Sequence, residues 1–240
     1  MYEPRTYRQQ VKSDDLLKFE IIQDETDLMI SAESDLSKEA NAIVKKIRAE
    51  LAGYIIDHPE FETSFIPVPV EKSAPFIVKE MASQAEKVNV GPFAGVAGAV
   101  AEFVGKELLK YSRQIIVENG GDVFIASSKT RIVGIYAGNS PLTGKIAIEI
   151  DPSDTPLGIC TSSGTVGPSF SFGTADAVVV ISKSATLADA AATAIGNLVL
   201  KQKDIDIALD YAKNIKDIDG VLIIKDDKMG IYGKIKIVKI

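Results

Sequence analysis

The sequence holds one cysteine, Cys160, one histidine, His58, and no tryptophan among its 240 residues. A single cysteine cannot close an intramolecular disulfide. One histidine and one cysteine exclude multi-His and multi-Cys metal centres and argue against a histidine-based triad. No apolar run approaches the length that crosses a bilayer. The opening residues Met1-Tyr2-Glu3-Pro4-Arg5 carry no signal-peptide core. Basic residues are also in deficit: 27 Lys and Arg stand against 33 Asp and Glu, a net charge of −6. An acidic chain without a basic run is a poor match for nucleic acid. These absences lead us to expect a cytoplasmic protein with neither nucleic acid nor membrane as a partner.

What is present is an ordinary globular composition, 46% hydrophobic and 25% charged. A chain of this length can bury roughly 70% of its unfolded surface, so residues 1–240 are expected to form a single domain. Lys18–Ile22 and Asp27–Ile30 are strand-like, with a polar turn between them. Ile43, Ile47, Leu51 and Ile55 recur every four residues, with Val44 and Tyr54 alongside, and predict a long helix ending before His58-Pro59. Three prolines, Pro67, Pro69 and Pro75, mark an extended connection into a second helix reaching about Lys87. A small-residue helix is predicted from Ala94 to Lys110, close-packed through Gly95, Ala97, Gly98, Ala99 and Ala101. Strand-like segments then dominate: 115–117, 123–125, 131–136, 145–150 and 177–181. Helices are predicted over Thr186–Leu200 and Asp204–Asn214. Val221–Ile224 and Ile231–Ile240 close the chain as a hairpin. An internal echo links Asp122–Tyr136 to Gly220–Tyr232, each a strand, a polar turn and a Gly-Ile-Tyr step. The expected class is α+β, with largely antiparallel sheets packed against helices and two pseudo-repeated halves.

Three polar stretches stand apart from the core pattern. In Glu118-Asn119-Gly120-Gly121-Asp122 the glycines can hold positive φ and offer N–H groups to a phosphate or oxyanion; an ordinary hairpin turn needs the same residues. Cys160-Thr161-Ser162-Ser163-Gly164-Thr165 sets one thiol among hydroxyls. These can bind phosphate or stabilise a thiolate, or Cys160 can be a small buried hydrophobe. Asp189 and Thr193 lie four apart, on one face of a helix. A carboxylate and a hydroxyl suit Mg²⁺, although a negative charge in a first helical turn is favourable by itself. His58, at a helix end, fits a structural role. No Gly-Lys-Ser/Thr phosphate loop occurs.

These stretches, in this order, resemble the signature blocks of the ApbE-like superfamily, whose best-known members are FAD:protein FMN transferases. The phrases that carry the resemblance are Asp27–Ile30, Val90-Gly91-Pro92 with the Ala/Gly helix after it, Val117–Asp122, Gly158–Gly167 and Ala188–Asn197. More closely, the chain resembles an ApbE-like family of archaea and bacteria. The resemblance implies a duplicated fold related to the tunnelling fold. It implies Asp189 and Thr193 as side-chain Mg²⁺ ligands, with a backbone carbonyl near Ala97-Gly98 as a third. It also implies that Asn119, Gly120 and Gly121, with Asp122, and the block Thr161, Ser162, Ser163 and Gly164 border a flavin (FAD or FMN) cleft. The transferases carry a histidine and an Asp-Pro segment before the metal helix. Here Thr165–Gly173 has neither, which leaves Asp122, Asp176 or Asp189 to take an acceptor's proton.

The closer family is associated with sulfide assimilation towards homocysteine. That association implies an accessory protein of sulfur mobilisation, with Cys160 as sulfur carrier, Asp122 as a second catalytic candidate, and a sulfur-donor protein or small molecule as partner. The alternatives are a Mg²⁺-dependent flavin binder or transferase-like enzyme, and a non-catalytic binding module. Related folds assemble through sheet edges, so a homo-oligomer is expected.

Overall fold

A run of six buried residues, Ala177–Ser182, forms the strand at the heart of the molecule. Successive strand side chains point to opposite faces, so burial of all six requires cover on both sides. Val178 and Val180 face a layer of helices. Val179 and Ile181 face a second sheet. The computed structural model describes residues 11–166 and 171–240. Met1–Arg5 and the Gly167–Phe170 part of the interval without histidine lie outside the described residues.

The strands are β1 (Val11–Lys12), β2 (Leu17–Gln23), β3 (Thr26–Ala32), β4 (Ile115–Asn119), β5 (Asp122–Ala126), β6 (Arg131–Gly134), β7 (Ile146–Ile150), β8 (Leu157–Ser162), β9 (Ala177–Ser182), β10 (Ile218–Lys225), β11 (Lys228–Gly233) and β12 (Lys236–Lys239). Eight form the main sheet in the order β11-β10-β9-β8-β5-β4-β3-β2. The other four form a smaller sheet, β1-β6-β7-β12. Every pairing is antiparallel. The helices are α1 (Ser37–Asp57), α2 (Glu60–Thr63), α3 (Phe76–Lys87), α4 (Val96–Leu108), α5 (Ala185–Gly196) and α6 (Ile205–Ala212). They cover one face of the main sheet, and the smaller sheet packs on the other. Among the described residues no single helix is long and apolar enough to cross a membrane.

The α+β class is as the sequence predicts, and several boundaries move. The buried stripe of α1 is Ala40, Val44, Ile47, Leu51 and Tyr54. It alternates steps of four and three, because a strict four-residue step drifts around a helix of 3.6 residues per turn. Ile43 and Ile55 are pushed to its margin. The small-residue helix begins later, at Val96, after a 3-10 turn over Pro92–Gly95. Helix α5 begins where Ser184 accepts the Leu187 amide as its N-cap, and it ends at Gly196 rather than Leu200. The terminal hairpin is β10–β11 alone. β12 leaves it and pairs with β7 in the smaller sheet.

The internal echo does not survive as two equivalent hairpins. β10 pairs with β11, whereas β5 and β6 lie in different sheets. The run β2-β3-helices-β4-β5 makes one half of the main sheet, and β8-β9-helices-β10-β11 makes the other.

Candidate active site at the crossing of α4 and α5

Helices α4 and α5 meet through their N-terminal turns, where helices leave amide groups without internal partners. Gly98 permits the contact. A Cβ there would lie 2.3 Å from the Ala185 carbonyl oxygen and 2.8 Å from the Asp189 Cβ. The Gly98 amide donates to Asp189 Oδ2 at 2.9 Å. In the other direction, Glu102 of α4 accepts from the Thr186 amide at 3.0 Å, the Thr186 hydroxyl at 3.1 Å and the Ser184 hydroxyl at 3.1 Å. Lys106 Nζ, 2.6 Å from Glu102, balances its buried charge. Glu102 is not among the residues singled out above, although its signal is in the sequence: it is the one acidic residue in the otherwise apolar stretch Val96–Gly105, and a lone carboxylate on a buried face needs a partner.

Beneath this crossing lie Asp122 and Cys160, both buried. In β5, Val123 and Ile125 face the smaller sheet, which turns Asp122 to the helix side. In β8, Leu157 and Ile159 do the same for Cys160. Asp122 Oδ1 accepts from the Thr161 amide at 3.2 Å. The Cys160 thiol donates to the Ala185 carbonyl at 3.3 Å and also bonds Asp122.

Burial pushes the Asp122 carboxyl well above the usual carboxylate range, and the Asp189 charge pushes it further. Burial likewise raises Asp189 to about 7, against the opposing amide bonds from Gly98 and Ala97. The Cys160 thiol is raised by burial and then by the two carboxylates. Among the described residues no cationic side chain offsets Asp122 or Asp189. Their opposing contacts are backbone amides and the thiol.

The glycine turn behaves as a tight hairpin. Gly120 and Gly121 take φ of +67° and +104°, and Asn119 is opposite Asp122 in the β4–β5 register. The Gly121 amide is bonded to Glu118 Oε1 at 2.9 Å, so it is not a free phosphate donor. Asn119 reaches away from the turn and donates to the Ala97 carbonyl at 3.1 Å.

The Ser/Thr block also spends its amides internally. Thr161 N–H goes to Asp122, Gly164 N–H to the Ala175 carbonyl, and the Thr165 and Val166 amides to Ser163 Oγ. These four amides are therefore not free for a phosphate. The half-buried Ser162 and Ser163 remain near the C-terminal end of α5, with Ser162 Oγ close to Gly196. Thr193, one turn beyond Asp189, is half-buried on the same helix.

Two other candidates lie apart from this cluster. Asp176 accepts from the Thr165 hydroxyl at 3.1 Å and from the Asp226 amide at 2.6 Å, so both of its oxygens are engaged. It borders a separate cavity of about 290 Å³ with Asn139, Ser140 and Asp226. His58 stacks on Tyr54 with ring centroids 4.3 Å apart, in the structural role its position suggests.

Asp189 and Thr193, one turn apart on α5, could offer a divalent cation a carboxylate and a hydroxyl, hard oxygen donors of the kind Mg²⁺ takes while keeping several waters. The Ala97 carbonyl points away from Asp189, because the Gly98 N–H of the same trans peptide group points at it. Among the described residues no three His, Cys, Asp or Glu side chains gather as a metal cluster, so any cation would depend on Asp189 and Thr193.

Residues 8–226 match the family model described as AbpE bacteria. The chain belongs to that family. It is 46% identical over 224 residues to a UPF0280 protein of Methanocaldococcus jannaschii, covering 91% of each chain. It is 43% identical over 223 residues to a UPF0280 protein of Methanococcus aeolicus, covering 91% of this chain and 90% of the relative. Among solved structures it is similar to the apo form of Pseudomonas stutzeri flavinyl transferase ApbE. That match has a TM-score of 0.57 and 13% identity over 90% of this chain and 94% of the other. It is also similar to the flavin transferase ApbE of Vibrio cholerae, with a TM-score of 0.54 and 14% identity over 90% and 96% of the two chains. The fold of this AbpE-family chain is thus ApbE-like.

Proposed function

We propose that this protein binds a flavin nucleotide through a divalent cation held at the crossing of α4 and α5. The observation that carries this reading is the Asp122–Asp189 pair: two buried carboxyls with no cationic side chain against them. Burying uncompensated charge is costly, and a bound cation supplies what the side chains do not. Asp189 and Thr193 would hold it, with water completing its shell. Once bound, Mg²⁺ would neutralise phosphate oxygens of the nucleotide. The ApbE-like fold and the flavin transferases that share it make FAD or FMN the nucleotide to test first.

Transfer of the flavin to an acceptor is the further reach of the same reading. An acceptor hydroxyl would have to lose a proton, and Asp122 is the carboxyl of the cluster that is not assigned to the cation. Sulfur carriage by Cys160, with an outcome in homocysteine synthesis, is less well supported. A carrier needs an accessible thiolate, whereas this thiol is fully buried, bonded to a carbonyl and raised in pKa by its surroundings.

The test is titration of FAD into the protein with Mg²⁺ and then with a chelator, followed by flavin fluorescence. Saturable binding that needs Mg²⁺ and is lost in Asp189→Ala is expected. Binding that ignores both the metal and Asp189 overturns the proposal.

A further inference from the structure

We infer that β2 is a dimerisation edge, to which a second copy of this chain adds its own β2 antiparallel about Phe19; this is independent of the metal site proposed above. Among the described residues β2 has β3 on one side and no strand on the other. Gln23 and Thr26 close a two-residue turn, and the closing pair of such a hairpin exchanges both of its main-chain bonds. Hydrogen-bonded pairs alternate along the ladder, so Leu17, Phe19, Ile21 and Gln23 bond β3. Lys18, Glu20 and Ile22 turn their main-chain groups to the outer edge. Such an edge is a template for another strand. β2 carries neither the proline nor the bulge that blocks pairing, and its register with β3 runs unbroken from Leu17 to Gln23. Apolar surface accompanies it: Leu17 is 56% exposed and Ile22 60%.

The pattern of the strand itself identifies the occupant. Leu17-Lys18-Phe19-Glu20-Ile21 reads outward from Phe19, in both directions, as a charge and then an aliphatic residue, and the two charges are opposite in sign. A two-fold axis through Phe19 therefore makes the strand its own complement, as an isologous contact requires. Lys18 then stands opposite the partner's Glu20, and Glu20 opposite the partner's Lys18. Opposite charges face to face across a ladder attract, and like charges repel. Leu17 gains the partner's Ile21 as its neighbour. The two Phe19 residues form a non-hydrogen-bonded pair, the kind that brings side chains closest, and aromatic rings gain from such contact. Other registers with the same main-chain bonding lack this match. An axis through Lys18 or through Glu20 sets like charges opposite each other, and an axis through Ile21 sets Glu20 against Ile22.

Sedimentation velocity of the full chain over a concentration series tests this, with Lys18→Glu, Glu20→Lys and the double exchange Lys18→Glu/Glu20→Lys. The unaltered chain is expected to be a dimer. Each single change sets like charges opposite at both pairs and is expected to raise the dissociation constant about tenfold. The double exchange is expected to restore it. Both positions are exposed, and circular dichroism checks that each variant is folded. A second measurement reads the register without altering the charges, and decides the matter should a charge variant fail to fold. Cysteines directly opposite in a non-hydrogen-bonded antiparallel pair lie within disulfide reach. Phe19→Cys is therefore expected to cross-link the two chains on oxidation, whereas Leu17→Cys, which faces Ile21 and not its own copy, is expected to stay monomeric on a denaturing gel. A monomeric unaltered chain overturns the inference. So does a dimer indifferent to the single changes, a double exchange as weak as the singles, or cross-linking through Leu17→Cys in place of Phe19→Cys.

Discussion

Glu102 and Asp189 each cap the helix that carries the other. Glu102, on α4, takes the first amide and hydroxyl groups of α5. Asp189, on α5, takes the Gly98 amide in the first turn of α4. An anion at a helix N-terminus is favoured by both the free amides and the dipole, so each helix end stabilises a carboxylate from its neighbour. The exchange locks the two helices in register.

Glu102→Ala removes the acceptor for three donors on α5 at once. It is expected to cost about 3 kcal/mol, because buried donors lose a charged partner and α5 loses the cap that Ser184 shares. Chemical denaturation monitored by circular dichroism measures it. A loss within the noise of a surface substitution would contradict the reciprocal cap.

Gly98→Ala drives a methyl group into the backbone of α5 at Ala185. Backbone cannot swing aside as a side-chain tip can, so a cost of about 3 kcal/mol is expected. Cation affinity should fall as well, since the methyl group displaces Asp189, whose Cβ it would approach to 2.8 Å. The same denaturation series checks the first effect, and titration with Mn²⁺, followed by the electron paramagnetic resonance of the free ion, checks the second.

The pH dependence has a definite sign. Asp189 is raised from its ordinary 3.8 to about 7 in the fold. The stability it contributes is complete below 3.8 and is lost as pH rises through about 7. Asp189→Asn keeps an acceptor for Gly98 without a charge to bury. Metal-free Asp189→Asn is expected to be more stable than the unaltered protein at about pH 8, with the advantage gone at about pH 4. Mg²⁺ favours the ionised carboxyl, so its stabilising effect should grow across the same interval. Thermal melts across pH, with and without chelator, decide this. A variant advantage that is greater in acid would contradict the account.

Cys160 packs as a small hydrophobe under Ala185. Cys160→Ala is expected to cost about 1 kcal/mol and to leave flavin binding intact. Alkylation of native Cys160 should wait on unfolding. Rapid labelling of the native thiol, followed by mass spectrometry, would restore the sulfur-carrier role.

Local pattern made much of this fold readable. The apolar run Ala177–Ile181 marks a strand covered on both faces, and the Asp189–Thr193 spacing puts two oxygen donors on one helix face. The missing parts depend on distant partners. Nothing around Lys236–Lys239 says that the strand leaves its neighbour β11 for β7, because that pairing is fixed by how the two sheets pack. The same holds within the site. The bond between Gly98 and Asp189 spans 91 positions, and Asn119 meets Ala97 across 22. Residue types showed which groups carry chemistry; the helix crossing shows which of them meet.

The central claim is that Asp189 and Thr193 hold a cation for a flavin nucleotide. Crystals grown with FAD and Mn²⁺ test it most directly, because Mn²⁺ is located by its anomalous scattering. The account predicts an anomalous peak in contact with both side-chain oxygens and with a phosphate of the nucleotide. A nucleotide bound with Mn²⁺ elsewhere, or a nucleotide-free site at saturating FAD, would contradict it.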